Sequence, residues 1–308
     1  MDFEASLRDV YNRYRGLSGG RVADYIPQLA TVNPDLFAIS AVTVDGQVYQ
    51  VGDVDAKFTI QSTSKPFSFA MALEQFPLKE ILTRVGVEPT GEDFNSISKL
   101  DRMQRPMNPM VNAGAISICG MLKKGLGERC ESWLLERFSD CAGLPVAIDE
   151  KTYRSELETT DGNRAIVYLL RKYDMLAADP ESSLDLYVKI CSLATTATGL
   201  ATMGATLANQ GVNPVSGIRC FSDQHMRDVL SVMLTCGMYN YAGQWVFDVG
   251  VPAKSGVSGA VLMVIPGVMA RCVYSPPLEG HGTSVRGIAV CKELSRRHNF
   301  HLLQHGGI

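Results

Sequence analysis

The sequence predicts an α+β fold of two lobes. An antiparallel sheet is built from both chain ends, with flanking helices, and a large helical lobe is inserted between them. Three observations carry this reading. A strand pair lies near the N-terminus, around Asp45-Gly46. Helical texture then runs from Pro66 to about Leu207. Strand-like runs return after Asp223 and lead into a closing helix. Short connections within each strand group favour antiparallel pairing over a βαβ repeat. We expect one domain over 1–308, with 1–65 and 210–308 as the sheet lobe and 66–209 as the helical lobe. A cleft between lobes is the default ligand site.

The chain opens with Phe3, Leu7, Val10, Tyr11 and Tyr14 on a helical stripe that Gly16, Gly19 and Gly20 end. Residues 36–44 read as a buried strand. Asp45-Gly46 reads as a hairpin turn, since both residues tolerate positive φ, and 47–51 is its partner strand. Phe58-Thr59-Ile60 is a short strand leading into the polar run Gln61-Ser62-Thr63-Ser64-Lys65. Helices follow from Pro66 onward and over 113–124, 130–139, 164–172, 184–191 and 196–209, separated by Pro, Gly and Asp clusters. A helix from Asp223 to about Met233 precedes strands at 245–249, 259–265 and 269–274. Residues 287–298 form the last helix.

Composition narrows the class. Of 308 residues, 46% are apolar and 20% charged, which excludes a disordered chain. The net charge of 29 − 32 = −3, with a pI near 6.0, gives no basic bias towards nucleic acid or an anionic membrane. The most apolar stretch, 259–270, contains Pro266 and falls short of the ~20 residues that span a bilayer. The opening Met1-Asp2-Phe3-Glu4 is acidic where a signal peptide is basic, so a cytoplasmic protein is expected. The eight cysteines are scattered, without a C-x-x-C pair, and read as small buried hydrophobes. His301 and His305 stand four apart but lack the framing ligands of a metal site. Arg296-Arg297 reads as the solvated end of the last helix. Neither phosphate-cradling glycine motif is present.

Chemistry concentrates at Ser62-Thr63-Ser64-Lys65. A serine hydroxyl is a weak nucleophile until a base takes its proton. In a helix beginning near Ser62, Lys65 lies one turn on and within reach. A desolvated lysine there can be neutral and serve as that base. Taken alone, the pattern is also an N-capping serine followed by a surface lysine. Lys254-Ser255-Gly256, ahead of an apolar strand, adds a second motif. Serine enzymes of the penicillin-binding and β-lactamase type carry S-x-x-K early and K-T-G late, on a strand lining the same cleft. Their third motif, S-D-N, is missing, and Tyr239-Asn240-Tyr241 fits Y-x-N only loosely.

The remaining stretches are Ala23 to Leu29, Asn108 to Ile116, Ser155-Glu156 with Asn163-Arg164-Ala165, Gly237-Met238-Tyr239, and Ala253 to Gly259. With Gln61 to Lys65, they make the chain resemble the serine-dependent glutaminases, of serine β-lactamase-like fold, from about residue 20 to about 265. Thr63 and Ser258 depart from the family pattern without touching an assigned role. The resemblance implies hydrolysis of L-glutamine to L-glutamate and ammonia. It makes Ser62 the nucleophile, Lys65 its base, Tyr239 a phenol sharing the proton, and Tyr25 a second phenol. The N–H groups of Ser62 and Val257 would form the oxyanion hole. Glu156 would hold the substrate ammonium, Asn112 and Asn163 its carboxylate, and Tyr187 a further contact. It implies a homo-oligomer, dimer or tetramer, with no cofactor and no metal. The alternative is a penicillin-recognising hydrolase or esterase of the same fold. A dead scaffold is disfavoured by the intact Ser62, Lys65 and Tyr239.

Overall fold

A computed structural model of the chain describes residues 3–91 and 100–304. Its strands, in chain order, are β1 (Ala38–Thr43), β2 (Val48–Gly52), β3 (Phe58–Thr59), β4 (Ala147–Ile148), β5 (Leu193–Thr195), β6 (Ala253–Ser255), β7 (Ala260–Ile265) and β8 (Met269–Tyr274). The large sheet has the order β2-β1-β8-β7-β6, and every neighbouring pair is antiparallel. The two chain ends meet where β1 pairs with β8, Ala38 opposite Tyr274 and Ala41 opposite Arg271. This is the architecture the strand grouping predicts. A small sheet, β3-β5-β4, ties the approach to Ser62 into the helical region.

The β1–β2 turn forms where expected but with different geometry. Only Gly46 takes a positive φ, of 85°. Gly46 N–H reaches Thr43 O, and Thr43 N–H reaches Gln47 O. That is a three-residue connection closed by a left-handed glycine, not a two-residue turn.

Period-two alternation sends β1, β7 and β8 side chains to two cores. On one face Ile39, Ala41, Met263 and Val273 meet Leu7 and Val10 of the helix Phe3–Tyr14, and Val290 and Leu294 of the helix Val285–His298. On the other, Val42, Leu262, Ala270 and Cys272 join the larger core under the helix Ala197–Ala208. That helix is rich in Ala, Gly and Thr because it lies close on the sheet. A Cβ on Gly204 would sit 2.6 Å from Leu262 Cδ1 and 2.7 Å from Ala270 Cβ. The sequence groups this segment with the helical lobe, 66–209; the structure packs it on β1, β7 and β8.

Two further expectations are corrected. Residues 245–249 are not a strand: the helix Ala242–Asp248 covers 245–248, and Val249 caps it. Trp245 and Val249 are both buried and four apart, and Trp245 Nε1 donates to Val251 O at 2.8 Å, while Phe247 is 80% exposed. Alternating large apolar residues in so short a window satisfy either period. Arg296 is solvated, but Arg297 is not. Arg297 is held between Asp9 and Glu293, each at 2.7 Å, and pins the last helix to the first. His301 Nδ1 accepts the Leu303 N–H, and His305 lies outside the described residues.

Candidate active site

Gln61–Ser64 forms one 3₁₀ turn that runs straight into the helix Lys65–Gln75. Residues three apart eclipse in a 3₁₀ turn, which sets Lys65 over Ser62 more directly than an α-turn would. Pro66 fits the first helical turn because its missing N–H would have had no partner there. Both side chains are buried. Lys65 Nζ donates to Ser62 Oγ at 3.0 Å and to Asn112 Oδ1 at 2.6 Å. Burial lowers the Lys65 ammonium to about 8, although Cys191, Glu156 and Cys119 pull the other way. A free amine beside the hydroxyl is therefore accessible just above neutrality.

Tyr239 follows the helix Asp223–Cys236 in a second 3₁₀ turn, Tyr239–Tyr241. Its φ of 53° is left-handed, a conformation costing roughly 1–3 kcal/mol for a bulky residue. Burial raises its phenol, and a hydrogen bond with Ser62 works against that rise. Lys254 Nζ lies 3.7 Å from the ring centroid on β6 and donates to Ser255 O at 2.9 Å. Burial, and then the charge of Lys65, hold Lys254 well below the ordinary lysine range.

The other end of the site is acidic. Glu156, on the helix Glu150–Glu158, is buried, and its Oε2 accepts from Gln61 Nε2 at 3.1 Å. Burial raises its carboxyl to about 7, against the Gln61 hydrogen bond and the Lys65 charge. Asn112 Nδ2 donates to Asn163 Oδ1 at 2.9 Å, and Asn163 Nδ2 to Thr160 Oγ1 at 2.8 Å. The Tyr187 ring is 5.8 Å from Lys65 Nζ. Tyr25 leaves 49% of its surface to solvent, yet its phenol is raised, first by burial and then by Glu156, so the hydroxyl is the sheltered end. Tyr25, Asn112, Glu156, Asn163 and Thr160 line a cavity of about 240 Å³. Val257 is buried against Ala23, Ile26, Leu29 and Leu278. A Cβ on the preceding Gly256 would lie 3.0 Å from Ile60 O, so this turn presses on the nucleophile's turn.

The structure thus brings Ser62, Lys65, Tyr239, Tyr25, Asn112, Glu156, Asn163, Tyr187 and Val257 to one region. Sequence reasoning gave no role to two residues found there, Gln61 and Lys254. Both stood inside quoted motifs, but only the tertiary contacts to Glu156 and Tyr239 single them out.

A buried Ser-Lys pair at a helix start, against an antiparallel sheet joined from both chain ends, is the arrangement of the serine β-lactamase-like fold. Comparison with known proteins sharpens the class. The family model described as Glutaminase matches residues 20–303. A glutaminase of Trichormus variabilis is 50% identical over 97% of this chain and 89% of its own length. The solved structure of a probable glutaminase, ybaS, superposes with a TM-score of 0.93 at 36% identity, covering 99% of this chain and 98% of that one. Mglu in its L-glutamate binding form superposes with a TM-score of 0.92 at 37% identity, covering 100% of this chain and 69% of that one. The chain belongs to the glutaminase family. It is an amidohydrolase that converts glutamine to glutamate and ammonia.

Proposed function

We propose that L-glutamine enters with its α-ammonium on Glu156, its α-carboxylate on Asn112 and Asn163, and its side-chain amide on Ser62. The observation that carries this is the 3.0 Å contact from Lys65 Nζ to Ser62 Oγ, with the lysine desolvated to about 8. Neutral Lys65 takes the Ser62 proton as Oγ attacks the amide carbon. The Ser62 and Val257 N–H groups stabilise the oxyanion. The intermediate collapses as Lys65 and Tyr239 return a proton to the leaving nitrogen, and ammonia departs. Water then attacks the glutamyl ester, its proton passes to Lys65, and glutamate leaves as Ser62 is reprotonated. Tyr25 adds a second phenol near the reaction centre, and Tyr187 contacts the substrate. No step as written calls on a metal or organic cofactor. That Mglu has an L-glutamate binding form supports a pocket shaped for the product.

In this reading the whole chain is one catalytic domain. Its helical lobe supplies Asn112, Glu156, Asn163 and Tyr187, and its sheet lobe supplies the remaining site residues. A cytoplasmic setting is supported by eight cysteines that are all free and buried. Among the described residues no helix is long and apolar enough to cross a membrane. Assembly as a dimer or tetramer rests on the family resemblance alone. The direct test is ammonia release from L-glutamine beside cleavage of a chromogenic β-lactam. Ammonia release without β-lactam cleavage is expected; the reverse would make the chain a penicillin-recognising hydrolase.

A further inference from the structure

We propose that Gln61 is a positioning residue that couples recognition of the substrate's α-ammonium to the geometry of the nucleophile. Its side chain binds the carboxylate that receives the ammonium, and its backbone forms the turn that carries Ser62. This inference rests on the role given to Glu156 above.

Gln61 is the residue before Ser62, is 2% exposed, and has φ 47°, in the left-handed region that non-glycine residues rarely take. Three hydrogen bonds fix it there. Its Nε2 donates to Glu156 Oε2 at 3.1 Å and to Thr59 Oγ1 at 3.4 Å, and its carbonyl accepts from Ser64 Oγ at 2.7 Å. The first bond spans 95 residues of sequence and joins the turn to the helix Glu150–Glu158. Rotating the Gln61 backbone would move Ser62 and break the link to Glu156 together.

The chemistry of the pair gives the link a direction. A carboxylate is a stronger acceptor than a carboxylic acid. The groups facing Glu156 are Gln61, Lys65, Tyr25, Tyr187 and Cys191, of which Lys65 alone is a cation. In the empty site burial favours the protonated acid, and the Gln61 bond resists it. An arriving ammonium holds Glu156 ionised, so the Gln61 bond is strongest when substrate is bound. The strained turn is then held most firmly in the complex that reacts. A glutamine analogue without the α-amino group, glutaramate, leaves Glu156 without its partner and gains less from Gln61.

The experiment is a substrate-by-variant comparison of L-glutamine and glutaramate, with kcat and KM resolved separately. Gln61→Met keeps length and loses the donor. Gln61→Asn keeps an amide, tolerates the left-handed backbone better, and is one methylene too short to reach Glu156. Both variants should lose about tenfold in kcat on glutamine, the order of one charge-assisted hydrogen bond, and change by less than about threefold on glutaramate. The acid limb of kcat/KM for glutamine should move to higher pH in both, because the carboxylate has lost its donor. Equal losses on both substrates with an unmoved acid limb would make Gln61 a structural residue and overturn the inference. If the unsubstituted enzyme does not discriminate against glutaramate, the ammonium role of Glu156 fails instead, and the two failures are distinct. Should Gln61→Met not fold, Gln61→Asn alone decides.

Discussion

Lys65 and Arg271 are both buried cations, and among the described residues neither is hydrogen-bonded to a carboxylate. They solve the same problem in opposite ways. Lys65 can shed its proton, so burial lowers it to about 8 and leaves an amine beside Ser62. Arg271 sits on β8 beneath the terminal helices, its guanidinium nitrogens without hydrogen-bond partners. Burial pushes it down too, but a guanidinium stays protonated in a protein. It is instead clasped between the Phe3 ring at 4.8 Å and the Phe300 ring at 4.5 Å. Desolvating a lysine makes a base; desolvating an arginine makes only a held charge. The sheet separates the chemistry from the clamp that ties the two chain ends.

Substitutions can break this comparison. The largest effect is expected from Ser62→Ala, which removes the acyl-enzyme route and should lower turnover by roughly 10⁴-fold or more in a folded protein. If Ser64→Ala were dead while Ser62→Ala remained active, the nucleophile would be misplaced. Next comes Lys65→Arg. Arginine cannot act as base, so ammonia release should fall about 10²–10⁴-fold, close to Lys65→Ala. Near-normal turnover of Lys65→Arg would erase the distinction drawn here between the two cations.

Glu156→Gln tests the acidic end. It should cost about 2 kcal/mol, some thirtyfold in kcat/KM on L-glutamine, with a smaller loss on glutaramate. The pH profile carries a second signature. Glu156 must lose its proton, near 7, to hold the ammonium, and Lys65, near 8, to act as base. Both steps raise kcat/KM as pH rises. Below about pH 6 the logarithmic slope should approach two in the wild type and one in Glu156→Gln, read as apparent values of a coupled group. An unchanged slope would remove Glu156 from the ionisations that matter.

The smallest effect belongs to Arg271→Met. Replacing buried ionic groups with apolar side chains of similar volume is often neutral or stabilising by about 1–4 kcal/mol. The melting temperature should hold or rise, and turnover should stay within about twofold. A large loss of activity would tie Arg271 to the chemistry across the sheet.

Much of this was legible in the sequence because it rests on local rules. Strand runs, the Asp45-Gly46 turn, the helical middle and the i, i+3 spacing of Ser62 and Lys65 follow from side-chain period and backbone preference over a few residues. Their motif context was enough to place the chain beside the glutaminases. Short windows misled where period alone could not arbitrate, as at Trp245. Tertiary structure alone decided how each buried charge is desolvated and held. In sequence Lys65 closes a polar run, and Arg271 stands among apolar neighbours. Ser62 is only three residues from Lys65, but the lysine's other partner, Asn112, lies 47 residues on, and the rings that clasp Arg271 come from both chain ends. The same holds for Gln61, whose carboxylate partner lies 95 residues away. Desolvation and these long-range contacts act through space, and no local pattern in the chain encodes them.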